Sequence, residues 1–476
     1  MDLKPASPPA PAAPLAPGLL KALLKAVGRD RLLVEPGRLL AYECDGLTHF
    51  KGRAAAVVLP ETTEELQAVV RACAAHGAPF TPRGAGTGLS GGATPAEGGV
   101  LIELARMNRI LALDRDARLA VVQPGVINQH LSDAARPLGL FFAPDPSSQS
   151  ACSLGGNCAE NAGGPHGFKY GSTEKHVAAT TVVLPDGELA VFGGPVDASH
   201  GLDLRGAFLG SEGTLGVVAE IVCRLTPLPE AIETLLAPFA SLEAACRAVG
   251  DLVASGVVAS ALEALDRRTI EAVEAGVYRA GYPSDADAVL LVELDGPAAE
   301  VAEASARSRA VLRRNGALSV QSARDAWERK LLWRGRKGAF GAMGRLAPDL
   351  YVVDAVVPRS ALARVLTQVC AICDGLGLRL ANVFHAGDGN LHPNICYDGR
   401  DAGETARVVE AGRRILEVCV AAGGALTGEH GIGVEKRDAM ALVFGDDDLD
   451  AMARLRRAFD PRGLANPGKL LPTPRA

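Results

Sequence analysis

Pro82-Arg83-Gly84-Ala85-Gly86-Thr87-Gly88-Leu89-Ser90-Gly91-Gly92 is the stretch on which the fold turns. It contains a GxGxG, but Gly91, Gly92 and Pro95 prevent a helix from following, so the nicotinamide-dinucleotide fingerprint, GxGxxG opening a helix in a βαβ unit, is not met. Successive glycines can instead curl so that consecutive backbone N–H groups face one anion, a nest suited to a diphosphate. Arg83 and Thr87 add a charge and a hydroxyl. Taken alone, the run reads better as a flexible surface loop. Two further stretches change that balance: Leu154-Gly155-Gly156-Asn157-Cys158-Ala159-Glu160-Asn161-Ala162-Gly163-Gly164 and Gly210-Ser211-Glu212-Gly213-Thr214-Leu215-Gly216. Three such loops point to a long phosphate-bearing ligand held by backbone, because glycine permits close approach. They also give meaning to 54 glycines in 476 residues, about 11% against a usual ~7%.

Outward from this loop, residues 54–59, 62–77 and 79–81 read as strand, helix and strand. Thr62 and Glu65 form a capping box, and Leu66, Val69, Val70 and Cys73 keep helical spacing until Gly77. Residues 180–184 and 189–192 flank Asp186-Gly187 as a hairpin. After Pro227 and Pro229 the texture becomes strand–helix alternation, with helices expected at 241–255, 267–275, 297–315, 325–343 and 360–375. Strands are expected at 233–239, 260–265, 288–294, 317–322 and 350–357, which suits an antiparallel sheet covered by helices on one face. The division expected is a disordered Pro/Ala tail at 1–20, a glycine-rich α+β domain at 40–228, a second domain at 229–445, and a segment at 446–476 packing back on the first.

Composition removes several classes. A net charge of −6 and 4% aromatic residues argue against nucleic acid as a partner. No apolar run is long enough to span a bilayer, and the first residues lack the apolar core of a secretory signal, so a cytoplasmic protein is expected, with peripheral attachment at a membrane face left open. The ten cysteines are scattered, which favours reduced thiols. Cys370 and Cys373 form a CxxC, but their helical setting makes them core thiols. None shows the clustered spacing of an iron–sulfur site.

In the second half, His385-Ala386-Gly387-Asp388-Gly389-Asn390-Leu391-His392 contains turn chemistry that can fold two imidazoles toward one point. Gly428-Glu429-His430-Gly431 supplies a carboxylate and a third imidazole. Two histidines and one carboxylate leave open positions on a divalent ion, although by spacing alone such a pair around a turn is more often simply solvated.

Residues 83–88, Pro144-Asp145-Pro146-Ser147-Ser148, 155–164, Lys169-Tyr170-Gly171 and 210–216 together resemble the FAD-binding domain of the vanillyl-alcohol oxidase/p-cresol methylhydroxylase superfamily. The order of motifs is most similar to its FAD-linked 2-hydroxy-acid dehydrogenase branch, which includes glycolate oxidase FAD subunits and D-lactate and D-2-hydroxyglutarate dehydrogenases. The likeness runs from about residue 40 to the closing Asn466-Pro467-Gly468-Lys469. It implies an α+β fold with a two-part FAD-binding domain and an antiparallel-sheet substrate domain. It further implies that Arg83, Gly84, Ala85, Gly86, Thr87, Gly88 and Leu89 hold the pyrophosphate, and that Pro144, Ser148, Gly155, Gly156, Asn161, Gly164 and Gly171 line the flavin and ribityl chain. Glu220, Ile221 and Val222 would meet the adenine end through their backbone. Thr87 stands in the loop where covalent members carry histidine, so non-covalent FAD is expected.

The same resemblance makes His385, His392 and Glu429 ligands of zinc or manganese, Arg336 the binder of the substrate carboxylate, and Asn394 a residue facing substrate. His430 is the candidate general base, or alternatively a partner that only fixes Glu429. Where hydroxyglutarate-oxidising members have a lysine shortly before the position of Asp354, this chain reads Tyr351-Val352-Val353, which favours glycolate or D-lactate. The activity implied is oxidation of such an acid to the 2-oxo acid, with electrons leaving for a non-NAD acceptor, and with iron–sulfur and second FAD-type subunits as possible partners. The competing readings are a metal-dependent hydrolase and a flavin-binding subunit without turnover of its own.

Overall fold

The computed structural model describes residues 15–194 and 201–472. Of the 1–20 tail expected to be disordered, 1–14 lie outside the described residues, and the remainder corrects the expectation. A helix starts at Pro17 and runs to Val27, burying Leu19, Leu23 and Val27 along one face. Proline suits a first helical position because its missing N–H has no intrahelical partner there, and the i, i+4, i+8 leucine and valine spacing supplies the apolar stripe.

The chain divides into two units. The glycine-loop unit comprises residues 15–163, 172–228 and 429–472 of the described chain. Its first sheet runs in the order Leu32–Leu33, Ala56–Val58, Val100–Glu103, Phe80–Arg83, the last three strands being parallel. The helix Thr63–His76 makes the crossover. Thr62 Oγ1 accepts from the Glu65 N–H at 3.2 Å, and Gly77 closes the helix at φ 62°, a left-handed position that glycine adopts without Cβ strain. A second, antiparallel sheet runs Ile110–Asp114, Leu119–Val122, Val217–Arg224, Val177–Val183, Leu189–Gly193, with the expected hairpin at Asp186-Gly187. Each sheet has its own apolar core.

The histidine unit comprises residues 164–171 and 229–428. Its antiparallel sheet runs Gln321–Ser322, Ala231–Phe239, Ala288–Gly296, Ala261–Asp266, Arg379–His385. Helices cover both faces rather than the one expected. Arg267–Glu274 and Ala326–Met343 pack on the face of Leu265, Val289 and Leu291, while Leu242–Ala254 and Ala298–Arg314 pack on the other. Strands such as Ala261–Asp266 and Ala288–Gly296 are buried at nearly every position instead of alternating, the pattern of a sheet buried on both sides. The expected strand 350–357 is broken into Asp349–Val352 and Ala355–Val356. The first piece pairs with Pro393–Tyr397 and the second with Asn390–Leu391, and Asp354, fully buried, sits at the break. The expected strand 317–322 shrinks to Gln321–Ser322.

Two domain boundaries differ from the sequence reading. Residues 164–171 belong to the histidine unit, tied there by Tyr170 Oη, which donates to Asp295 Oδ2 at 2.6 Å, and by a Lys169–Asp295 ion pair. Residues 429–445 belong to the glycine-loop unit.

Candidate functional site

In the histidine unit, strand register places polar groups on an otherwise apolar face. Glu263 is opposite Leu291 on one side and His385 on the other, and Glu293 is opposite Ala261. Directly opposed residues point the same way, so Glu263, Glu293 and His385 share the face under the helix Ala326–Met343. Trp333 and Arg336, three apart, lie on one side of that helix, and each meets a glutamate. Trp333 Nε1 donates to Glu293 Oε2 at 2.5 Å. Arg336 Nε donates to Glu263 Oε2 at 2.6 Å, and its Nη2 lies 2.5 Å from the same oxygen.

Glu263 also holds His385, whose Nδ1 is 2.8 Å from Glu263 Oε1. Glu263 is 0% exposed, Arg336 4% and His385 3%, so water does not screen this triad. With Nδ1–H donated to the carboxylate, the lone pair of His385 sits on Nε2. The His392 ring stands 5.1 Å from that of His385 at 88°, and their ligand nitrogens lie within 4.8 Å. Asp354 Oδ1 is 3.8 Å from His392 Nδ1. The same carboxylate accepts from Thr427 Oγ1 at 2.5 Å and from the Gly428 N–H at 3.0 Å. Asn394 is buried, and its Nδ2 donates to the His392 carbonyl at 2.6 Å, tightening the turn that carries the histidine. Two neighbouring imidazoles, one of them hydrogen-bonded to a buried carboxylate, are a donor set suited to a divalent ion, because a carboxylate behind a ligating imidazole fixes its tautomer and raises its basicity.

Arg336 is therefore not an open fork. Its Nε and Nη2 edge is closed on Glu263, and none of these contacts engages Nη1. Beside it, Glu293 accepts from His166 Nε2 at 2.9 Å and from Thr234 Oγ1. Burial opposes ionisation of Glu293, but the His166, Thr234 and Trp333 donors outweigh it and hold its carboxyl below the usual range.

In the glycine-loop unit, the first and second glycine stretches meet. A Cβ on Gly84 would stand 2.2 Å from Ser153 Oγ, the N-cap of the short helix Leu154–Glu160. Gly155 lies so close to Pro124 that a Cβ would be 2.6 Å from its Cβ. Of the glycines in the first loop, Gly86 and Gly91 have positive φ, 66° and 78°. Arg83 folds back along the loop, with Nη1 donating to the Cys44 carbonyl at 2.8 Å and Nε 3.5 Å from Glu103. Its guanidinium braces the loop. The Pro144 carbonyl accepts from Asn128 Nδ2 at 3.0 Å, and the Ser148 carbonyl accepts from Ala151 and Cys152. Asn161 caps the short helix at φ 51°. Ile221 and Val222 lie in a central strand paired on both sides, so sheet bonds already engage much of their backbone. Gly164 and Gly171 fall in the histidine unit.

Glu429 and His430 also lie in the glycine-loop unit, with His430 Nε2 3.9 Å from Glu429 Oε1. A Cβ on Gly163 would be 3.0 Å from Glu429 Oε2, so the loop is seated at the end of the second glycine stretch. Glu212 anchors it by accepting from the Ile432 and Gly433 N–H groups at 2.7 and 2.8 Å. Burial pushes the Glu212 carboxyl up to about 7, against those two donors and the charges of Lys436 and Lys469. Lys436 is 0% exposed and donates to the Gly431 carbonyl at 3.1 Å.

Glu263, Glu293 and Glu212 were not among the residues that the sequence singles out. A lone glutamate in the apolar run Ala261-Leu262-Glu263-Ala264-Leu265 is the signal for the first, since a buried charge must be paired. All ten cysteines are free, and burial pushes the thiols of Cys73, Cys158 and Cys373 up to about 12. No described helix is long and apolar enough to cross a membrane.

Comparison with known proteins agrees with this architecture. Residues 54–193 match a family described as FAD binding domain, and residues 228–470 match FAD linked oxidases, C-terminal domain. The chain is 46% identical to glycolate oxidase subunit GlcD of Escherichia coli K12 over 96% of this chain and 91% of that one. It is 39% identical to GlcD of Bacillus subtilis over 91% and 92%, and 34% identical to a D-lactate dehydrogenase of Anaerostipes hadrus over 88% and 90%. Among solved structures, 4-ethylphenol oxidase from Gulosibacter chungangensis superposes with a TM-score of 0.81 at 18% identity, covering 97% of this chain and 99% of that one. p-Cresol methylhydroxylase does so with 0.79 at 18%, covering 95% and 96%. A glycine-loop domain for FAD, an antiparallel C-terminal domain and near full-length identity to GlcD proteins place the chain in the family of FAD-linked oxidases.

Proposed function

We propose that the protein oxidises a small 2-hydroxy acid, glycolate or D-lactate, to the 2-oxo acid, with non-covalently bound FAD taking the hydride and a non-NAD acceptor receiving the electrons. The observation that carries this reading is the near full-length identity to GlcD. The buried Glu263–Arg336–His385 triad supports it, because a hydroxy acid carries the carboxylate and hydroxyl that such a group can receive. Arg336 would meet the substrate carboxylate through Nη1, orienting the α-hydrogen. His385 and His392, with Glu429 as the third ligand that the resemblance implies, would hold zinc or manganese. When bound, that ion supplies Lewis acidity that lowers the cost of deprotonating the hydroxyl. His430 would take the hydroxyl proton, and Asn394 would keep His392 in place. The word subunit in the name of the GlcD relatives supports assembly with further redox subunits carrying an iron–sulfur cluster or a second flavin. A cytoplasmic location, at most peripheral to a membrane, fits the lack of a spanning helix among the described residues. A hydrolase finds no support in the FAD families that cover the chain.

The test is optical. Purified protein should be yellow, and anaerobic glycolate or D-lactate should bleach its flavin band. Protein that cannot be loaded with FAD, or a flavin band unmoved by either acid, would overturn the proposal.

A further inference from the structure

Glu263 links two tasks that the proposed reaction keeps separate. Its Oε1 takes the Nδ1 of His385 at 2.8 Å and its Oε2 takes the Nε of Arg336 at 2.6 Å. Arg336 Nη2 comes within 3.4 Å of the same imidazole nitrogen. The three side chains come from a central strand, its neighbour and the covering helix, and each is nearly or wholly removed from water. A buried arginine and a buried histidine could each have had a carboxylate of its own. Here one carboxylate serves both, so neither can be repositioned without disturbing the other.

We infer that Glu263 is a positioning residue that couples metal retention at His385 to recognition of the substrate carboxylate by Arg336. The inference rests on the proposed hydroxy-acid reading. Through Oε1 the carboxylate holds the Nδ1–H tautomer and turns Nε2 outward as the ligand atom. Through Oε2 it closes one edge of the guanidinium and leaves Nη1 to project. Loss of the charge therefore frees the imidazole to change tautomer and frees Arg336 to swing toward His385, where its charge opposes a cation. A residue serving only packing would leave both ligand affinities in place.

Glu263→Gln keeps the shape and removes the charge. Zinc and manganese affinities would be measured by chelator competition on the purified full chain, with flavin content as the control for folding. Glu263→Gln should weaken metal affinity by about 10–100-fold and raise KM for glycolate by on the order of tenfold, with flavin content unchanged. Saturating metal should then restore kcat but leave KM high, a split that loss of packing alone would not produce. Wild-type metal affinity together with wild-type KM in Glu263→Gln would overturn the inference.

Because an unpaired buried arginine can destabilise the unit, Glu263→Gln/Arg336→Met serves if the single variant does not fold. It should still bind metal about 10–100-fold more weakly, and wild-type affinity there would equally overturn the coupling. His385→Ala separates the two levels. If wild-type protein retains no more metal than His385→Ala, the metal reading itself falls. If wild-type protein retains metal, His385→Ala loses it and Glu263→Gln behaves as wild type, the coupling alone falls.

Discussion

Glu212 reaches across 221 positions of sequence to accept the backbone N–H of Gly433 at 2.8 Å, and it does so from a left-handed backbone, φ 53°. A non-glycine residue in that conformation is strained, and strain persists where the surroundings over-determine it. Here the surroundings are the loop that begins with Glu429 and His430, with a second bond to Ile432 at 2.7 Å. Replacing Glu212 with alanine leaves two buried donors without this acceptor, at about 1–3 kcal/mol each. A fall in thermal midpoint accompanied by loss of turnover is the expected outcome, read by calorimetry and by anaerobic flavin reduction.

The same group sets a pH dependence. Burial raises the Glu212 carboxyl to about 7, above its value in the unfolded chain, so between those values the folded protein holds the extra proton. The stability this confers is complete below the unfolded pKa and is lost as pH rises through about 7. Glu160, raised by burial and by the charge of Glu212, acts in the same direction. Thermal midpoints should therefore decline less steeply from pH 5 to pH 8 in Glu212→Gln than in the wild type. Parallel curves would show that this carboxyl does not titrate there.

His385→Ala should remove bound metal and turnover while leaving the flavin spectrum intact, because the substitution lies in the histidine unit. Elemental analysis beside an absorbance spectrum decides it. Turnover that survives in metal-free protein would end the metal role.

Gly155→Ala tests the close approach of the glycine stretches. The added methyl would sit 2.6 Å from Pro124 Cβ and 3.0 Å from its carbonyl, neither being a flexible chain end. Alanine's better helix propensity returns at most about 1 kcal/mol, whereas overpacking of this kind costs about 1–3 kcal/mol. A lower thermal midpoint and weaker FAD retention are expected, measured by calorimetry and by flavin released on gel filtration.

The resemblance to hydroxy-acid dehydrogenases makes Tyr351-Val352-Val353 the place to test substrate preference. No lysine stands there to receive a distal carboxylate, so D-2-hydroxyglutarate should reduce the flavin with a kcat/KM at least about tenfold below that for glycolate or D-lactate. Rapid mixing under anaerobic conditions gives the three values directly.

Much of this architecture is legible in the sequence, and the exceptions have physical causes. Thr62, Glu65 and Gly77 carry capping chemistry, and the helix they bound forms as spacing predicts. Apolar runs such as residues 288–294 do become strands, but continuous burial leaves no alternation to say which face a helix will cover, and both faces are covered. The helix Ala402–Ala421 has no counterpart among the expected elements, although Val408, Ala411, Ile415 and Cys419 carry its stripe. The candidate His385 and His392 come together locally because a turn joins them. Glu263 lies 122 residues from His385, and only strand register brings it there.

Arg83 and Arg336 show a second limit. Residue type marks both as anion binders, yet each guanidinium is engaged by a buried glutamate, Glu103 in one case and Glu263 in the other. Burial decides this outcome, since a desolvated arginine without a counter-charge is costly, and burial is a property of the fold.

The segment Asn466-Pro467-Gly468-Lys469 bears on the order in which the protein folds. Asn466 Nδ2 donates to the carbonyls of Gly92 and Glu212, and Lys469 Nζ donates to that of Thr94. The Asn466 N–H completes a bridge to Phe80 at the edge of the first sheet. The first glycine loop is therefore fastened by a side chain 374 positions further along the sequence. Contacts of such wide sequence separation require a long loop to close before they form, so this fastening is expected late in folding. A chain lacking Asn466 and Lys469 would lose these fastenings and should retain FAD more weakly, read by flavin released on gel filtration.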